Sequence, residues 1–234
     1  RIQDNLQINA NSYVVRIKEI EAGRGDLRPS MVLAMDPRGD KINLAGEETV
    51  EPTFGLPAMW IDPTLREEAL FRGYTVVDPS TVITTHLTEM VKDNMAELLS
   101  HAETQKLLDE MPKEQQKLVA ALIPGQISVN GVQRVLQGLL SERVSIRDLP
   151  NILDGISEVA GHSRNITTII EHVRVRLARQ ISDSAADQAG IIPILTLSPE
   201  WEQSFAEALR GEGDDRQLVM APTMLQQFIQ SVRQ

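Results

Sequence analysis

The chain of 234 residues contains no cysteine, so it has neither a disulfide framework nor a thiolate nucleophile. Aromatic residues make up only 3% of it, and the longest apolar runs, such as Leu118–Ile123, are far too short to span a bilayer. Basic residues are outnumbered as well, because 23 Lys and Arg face 33 Asp and Glu for a net charge of −10. Nucleic acids and anionic membrane surfaces are therefore disfavoured as partners.

Residue patterns typical of enzymes are also missing from the sequence. No Walker motif, nucleophile elbow or Rossmann fingerprint occurs. The histidines have no cysteine partners and no HExxH-type spacing, and His86 is predicted to be a polar neighbour of the core on a helix. The sequence therefore predicts no catalytic residue, no cofactor site and no metal site.

Half of the aromatic residues lie in one stretch, Glu47–Leu87. It is predicted to begin with a turn-rich segment at 51–55, followed by a short strand at 59–61. Asp62-Pro63 predicts a capped helix, because Asp is a good N-cap and Pro suits the first helical position. A second strand at 74–77 follows, and Asp78-Pro79 repeats the capping pattern before a helix that can run to about Ser100.

The remaining sequence changes in character along the chain. Tyr13–Ile20 alternates in polarity as a half-buried strand does, and Gly23-Arg24-Gly25-Asp26 predicts a turn. Residues 101–182 show short amphipathic helices with clear punctuation. Ile191–Leu197 predicts an apolar strand with no evident partner, and helices are predicted from Pro199 and Pro222.

Several segments together resemble one protein family. FGLPAMWI at 54–61, with GYTVVDPSTVITTHL at 73–87, resembles a signature of the FlhA (FHIPEP) family, the export-gate proteins of flagellar and injectisome type III secretion. Arg1–Leu6 resembles the "IRDN" strand of that family. Its helical region is matched by Leu122-Ile123-Pro124-Gly125 and by Val144–Asp148.

The resemblance implies an α+β fold of several subdomains. We expect a strand-rich N-terminal half with an inserted subdomain, an all-helical middle and a partial α/β C-terminal subdomain. The first subdomain would comprise residues 1–29 and 79–98, the second 30–78, the third 99–182 and the fourth 183–234. Because the chain opens without Met or a signal peptide, we expect an excised cytoplasmic fragment of a longer membrane protein.

The resemblance also implies a function without enzymatic chemistry or cofactors. The protein would be a docking platform of the flagellar export gate that binds export chaperones with their substrates and orders their export. It would contact other export-apparatus components, form a homo-oligomeric ring and lie at the cytoplasmic face of the bacterial inner membrane. Two alternatives remain: the equivalent component of a virulence injectisome, and an unrecognised hydrolase or regulatory domain. EETVEPTFGLPAMWI favours the flagellar version.

Three residues match the chaperone-binding site of the flagellar members. That site has an acidic residue, a Phe three positions later and a Thr near the start of the long helix. The corresponding residues are Glu51, Phe54 and Thr85, with Glu51 replacing the Asp that is more common in the family. From the residues alone Phe54 would be assigned to the core, because Phe is usually buried. The resemblance instead predicts that it anchors an amphipathic chaperone helix.

Overall fold

The computed structural model describes residues 2–211 and 216–233. The chain divides into two units, Arg1–Ser100 with Leu140–Arg143 and His101–Leu139 with Val144–Gln234. The subdomain boundaries expected after residues 29, 78, 98 and 182 are finer than this division and stay predictions. Of the predicted acidic loop Gly211–Asp215, residues 212–215 lie outside the described residues.

The first unit begins with an antiparallel hairpin, β1 (Ser12–Ile17) and β2 (Ile20–Asp26). Lys18 and Glu19 reverse the chain with φ angles of 49° and 67°. Positive φ at both central residues is the requirement of the tight turn that matches the right-handed twist of paired strands.

The turn predicted at Gly23-Arg24-Gly25-Asp26 is wrong, because these residues continue β2. Gly25 pairs with Tyr13 of β1, and a Cβ added to it would lie 2.6 Å from the Tyr13 hydroxyl oxygen. Glycine occurs here because a tyrosine ring occupies the space of its side chain. The sequence pattern does not distinguish the two structures, because glycine is common in turns and also in strands where another group approaches closely.

A four-stranded antiparallel sheet forms the centre of the first unit. Its strands are β3 (Val32–Met35), β4 (Gly46–Val50), β5 (Pro57–Ile61) and β6 (Thr75–Val77), in the order β4-β5-β3-β6. Consecutive residues of β3 and β5 are apolar because both faces of the sheet are buried. One face packs on Ala69 of helix α1 (Arg66–Phe71), and the other packs Leu33, Ala58 and Trp60 on Val82 of helix α2 (Pro79–Asp93).

Helix punctuation largely follows the predictions. The Asp62 carboxylate accepts the Thr64 amide at 2.9 Å and opens a 3-10 turn at Pro63–Leu65 before α1. Helix α2, predicted to run to about Ser100, ends at Asp93. The Asn94 side chain donates to the Met90 carbonyl at 2.8 Å at this point. A separate single turn, α3 (Met95–Leu98), follows it.

The second unit confirms the predicted all-helical middle. Apolar side chains of its helices, among them Leu136, Ile152 and Val173, are buried. The helices of this middle region are α4 (His101–Asp109), α5 (Gln116–Leu122), α6 (Val129–Ser141), α7 (Leu149–Ala160), α8 (Ile166–Arg176) and α9 (Ala178–Ala185). Among the helices described in the whole chain, none is both long enough and apolar enough to cross a membrane.

The strand predicted at Ile191–Leu197 is wrong. The segment is irregular and exposed, with Leu195 85% accessible, and it pairs with no strand in the described part of the chain. An apolar sequence forms a strand only where another backbone satisfies its N–H and C=O groups. The strands described nearby are β7 (Leu209–Arg210) and β8 (Gln217–Leu218).

Two helices, α10 (Pro199–Ala208) and α11 (Pro222–Arg233), complete the C-terminal region. They meet through an aromatic cluster in which the rings of Phe205 and Phe228 lie 4.9 Å apart at 84°. Trp201 contacts both of these rings. The pairs Phe205–Phe228 and Trp201–Phe228 meet edge to face, an arrangement that aromatic rings prefer.

Hydrogen exchange tests the difference between these two parts of the second unit. We expect fast exchange of the amides of Ile192 and of residues 194–197, Pro193 having none, and slow exchange in the helices of residues 128–180. The first set lacks backbone hydrogen bonds to described residues, whereas the second lies in packed helices. Comparable protection of both segments would contradict the irregular conformation of 192–197.

Candidate functional site

The loop Glu51–Leu56 connects β4 to β5 and is closed by its own backbone. The Glu51 amide donates to the Leu56 carbonyl at 2.9 Å, and the Gly55 amide donates to the Glu51 carbonyl at 3.0 Å. Gly55 has a φ of 70°, which residues with a side chain rarely adopt. The loop therefore has one defined conformation set by local hydrogen bonds.

The Glu51 carboxylate lies inside this loop. Only 4% of Glu51 is accessible, although Glu is rarely buried without a partner. One carboxylate oxygen accepts the Thr53 amide at 3.0 Å and the other accepts the Phe54 amide at 2.7 Å. Charge-assisted hydrogen bonds of this kind stabilise a buried carboxylate.

Phe54 projects from the same loop into solvent, with 66% of its surface accessible. Its assignment to the core, which the residue type alone would favour, is therefore wrong. Val50, at the end of β4, is exposed as well. The loop thus presents an apolar surface beside a buried sheet.

Thr85 lies on α2 and is half-buried, and the next residue, His86, is buried. The Tyr13 hydroxyl and His86 Nδ1 are 2.7 Å apart, and the two rings meet edge to face with centroids 5.7 Å apart. This contact joins β1 to α2. The structure brings Glu51 and Phe54 together in one loop, and Thr85 belongs to the neighbouring helix.

The charge of Glu51 in the loop affects the pKa values of both Tyr13 and His86. Burial raises the pKa of Tyr13 to about 12, with the charges of Glu51 and Asp26 acting in the same direction. Burial also lowers the pKa of His86, and the nearby charge of Glu51 partly opposes this effect. The carboxylate of Glu51 therefore lies within electrostatic range of both side chains.

Sequence reasoning missed the contact between Tyr13 and His86, which lies next to Thr85 on α2. His86 was correctly expected beside the core, because Val82, His86 and Met90 follow each other at intervals of four on α2. Tyr13 appeared only as one residue of an alternating strand, and nothing in the sequence indicated its contact with His86.

The polar groups of this arrangement are mostly engaged with one another, and its aromatic ring is exposed. Among the described residues, no group of three or more His, Asp or Glu is placed to hold a metal ion. Both oxygens of the Glu51 carboxylate are occupied by amides, and the Nδ1 atom of His86 faces a tyrosine hydroxyl. What remains accessible is the Phe54 ring on a well-defined loop.

Comparison with known proteins adds a family match over the whole chain. The model of the family described as FHIPEP matches residues 1–234. The flagellar biosynthesis protein FlhA of Caulobacter vibrioides is 58% identical over 233 residues, which cover 100% of this chain and 33% of that protein. FlhA of Bacillus subtilis is 35% identical and is covered over 34% of its length. The chain thus spans about a third of the length of these relatives.

Solved structures share the fold at lower identity. The CdsV protein of Chlamydia pneumoniae has a TM-score of 0.78 at 23% identity, covering 98% of this chain and 66% of that chain. A nonameric SctV-C from EPEC has a TM-score of 0.71 at 21% identity, covering 97% and 69%. Both comparisons confirm the expected α+β fold class.

Replacing Gly25 tests the packing behind the site. Gly25→Ala should destabilise the first unit by about 1–3 kcal/mol, because the new methyl group displaces the Tyr13 ring. Gly161→Ala is the control, since no atom lies within 4 Å of its Cβ position and its φ of −72° suits alanine. The free energy of unfolding in urea measures both variants. Equal effects of the two substitutions would contradict the close packing on Tyr13.

The lowered pKa of His86 predicts a dependence of stability on pH. As pH falls below the ordinary histidine value of 6.5, the unfolded chain binds a proton that the folded chain resists, so stability is lost. His86→Gln should remove this contribution and give a shallower fall of the thermal midpoint between about pH 7 and pH 5. Identical slopes for His86→Gln and the parent chain would contradict the assignment.

Proposed function

The chain belongs to the FHIPEP family, and we propose that it is a docking platform of the flagellar type III protein export gate. In this function it binds export chaperones with their substrates and orders their export, without catalysing a reaction. The single observation that carries the proposal is the exposed Phe54 on a loop that is held in one conformation. The high similarity to flagellar relatives favours this function over the corresponding role in an injectisome.

The proposed docking site consists of Glu51, Phe54 and Thr85. An exposed phenylalanine can transfer most of its ring from water to a partner's apolar groove, and aromatic anchors of this kind often dominate an interface. An amphipathic chaperone helix presents suitable apolar positions at intervals of three and four residues. Thr85 would add a hydroxyl beside the aromatic contact.

The proposal extends to assembly and location. Two of the structural neighbours are described as nonameric, and one is a complex of CdsV with CdsO. By analogy we propose that the whole protein forms a homo-oligomeric ring and binds other components of the export apparatus. Its place would be the cytoplasmic face of the bacterial inner membrane.

Replacing Phe54 tests the docking site. Phe54→Ala should weaken binding of a purified flagellar export chaperone–substrate complex by about 2 kcal/mol, which is roughly thirtyfold in affinity. The thermal midpoint should stay unchanged, because an exposed ring contributes little to the core. Calorimetric titration and thermal unfolding measure the two effects.

Phe71→Ala provides the matched control for this experiment. Phe71 lies at the end of α1 in the same unit and is 93% accessible, so its removal also deletes an exposed ring. Its affinity for the chaperone complex should equal that of the parent chain. Equal losses in both variants would indicate nonspecific hydrophobic attachment, and an unchanged affinity of Phe54→Ala would refute the site.

A further inference from the structure

We propose that Glu51 is a positioning residue, which acts on the partner through Phe54 and does not itself touch the partner. The inference rests on the proposed function for the identity of the partner. In this role Glu51 orients the loop and makes no direct charge contact with the partner. The docking surface would then be apolar, although the site contains a carboxylate.

The burial of Glu51 is the first argument. Its accessible fraction of 4% contrasts with the 66% of Phe54, three residues further along the same loop. For a partner to contact this carboxylate, the loop would have to open first. Opening the loop would break the hydrogen bonds from the Thr53 and Phe54 amides to the carboxylate. All of these groups would then need new hydrogen-bond partners, and losing partners is costly for a charged group.

The hydrogen bonds of Glu51 are the second argument. Its backbone N–H, its backbone carbonyl and both carboxylate oxygens each make one hydrogen bond, and all four remain within residues 51–56. The carboxylate accepts from the amide of Phe54 itself at 2.7 Å. A side chain that binds the amides two and three residues ahead orients the chain as an N-cap residue does. The direction of the Phe54 ring therefore depends on Glu51.

The surroundings of the carboxylate agree with this role. The charge of Glu51 acts on Tyr13 and His86, which are joined to each other by a hydrogen bond between β1 and α2. Among the residues that the structure describes, no Arg or Lys side chain forms an ion pair with Glu51. The backbone amides are thus the groups that stabilise its charge, and no cation of a partner is required.

A double-mutant cycle with Phe54 tests the inference. Glu51→Ala should weaken binding of the chaperone–substrate complex roughly two- to thirtyfold, the range expected for loss of a capping side chain. In the Phe54→Ala background the same change should weaken binding by less than about twofold, because the residue through which it acts is gone. Fully additive losses would overturn the positioning role.

Conservative variants separate geometry from charge. Glu51→Asp keeps two acceptor oxygens in a side chain that commonly caps such amides, so its affinity should stay within about threefold of the parent chain. Glu51→Gln keeps one acceptor oxygen and should fall between Asp and Ala. If Glu51 contacted the partner by charge, Gln would bind as weakly as Ala. Glu48→Ala removes an exposed carboxylate of β4 and should leave the affinity unchanged.

Amide exchange provides a measurement that needs no partner. The N–H groups of Thr53 and Phe54 should be protected in the parent chain and in Glu51→Asp, and should exchange rapidly in Glu51→Ala and at one of the two positions in Glu51→Gln. Fast exchange at both positions in the parent chain would overturn the inference. If Phe54→Ala leaves docking unchanged while this protection pattern holds, the proposed function fails and the role of Glu51 within the loop stands.

Discussion

The burial of strands β3 and β5 on both faces is the constraint on which the first unit depends. Because Ala69 packs on one face and Val82 on the other, β3 and β5 must be apolar at consecutive positions. Such strands have no side chains left for binding. Under the proposed function, recognition would use the connections between strands, and the loop Glu51–Leu56 joins β4 to β5, which are paired in the sheet.

Helix α2 contacts both the sheet and the β1–β2 hairpin. Its Val82 belongs to the sheet's core, and one turn later His86 meets Tyr13 of β1. Arg143, which belongs to the same unit, bonds Glu89 at 2.9 Å on the outer part of the helix. Contacts at three places along its length thus support the helix that carries Thr85. In the proposed docking function, such support would reduce the conformational entropy cost of binding.

Much of this organisation could be predicted, and the failures have a common physical origin. Capping at Asp62 and the apolar strand at 59–61 are local features, so their sequence patterns were sufficient. The predictions for Gly25 and for the segment Ile191–Leu197 are wrong because both conformations depend on distant groups: a tyrosine ring fills the space at Gly25, and no described strand pairs with 191–197. Residue type alone also could not show the surface position of Phe54, which depends on how Glu51 uses its oxygens, whereas the family resemblance pointed to a binding role. Pattern alone favoured burial.

The hairpin turn at Lys18 and Glu19 bears on how the chain could be engineered. Both residues adopt positive φ, where a Cβ atom is unfavourable and where Asn-Gly is the preferred pair. Lys18 lies 3.7 Å from Glu97, but an exposed ion pair contributes little. The tip of the hairpin is thus a place where the natural sequence is less stable than the backbone allows. A scaffold built for structural work could exchange these two residues and leave the Phe54 loop untouched.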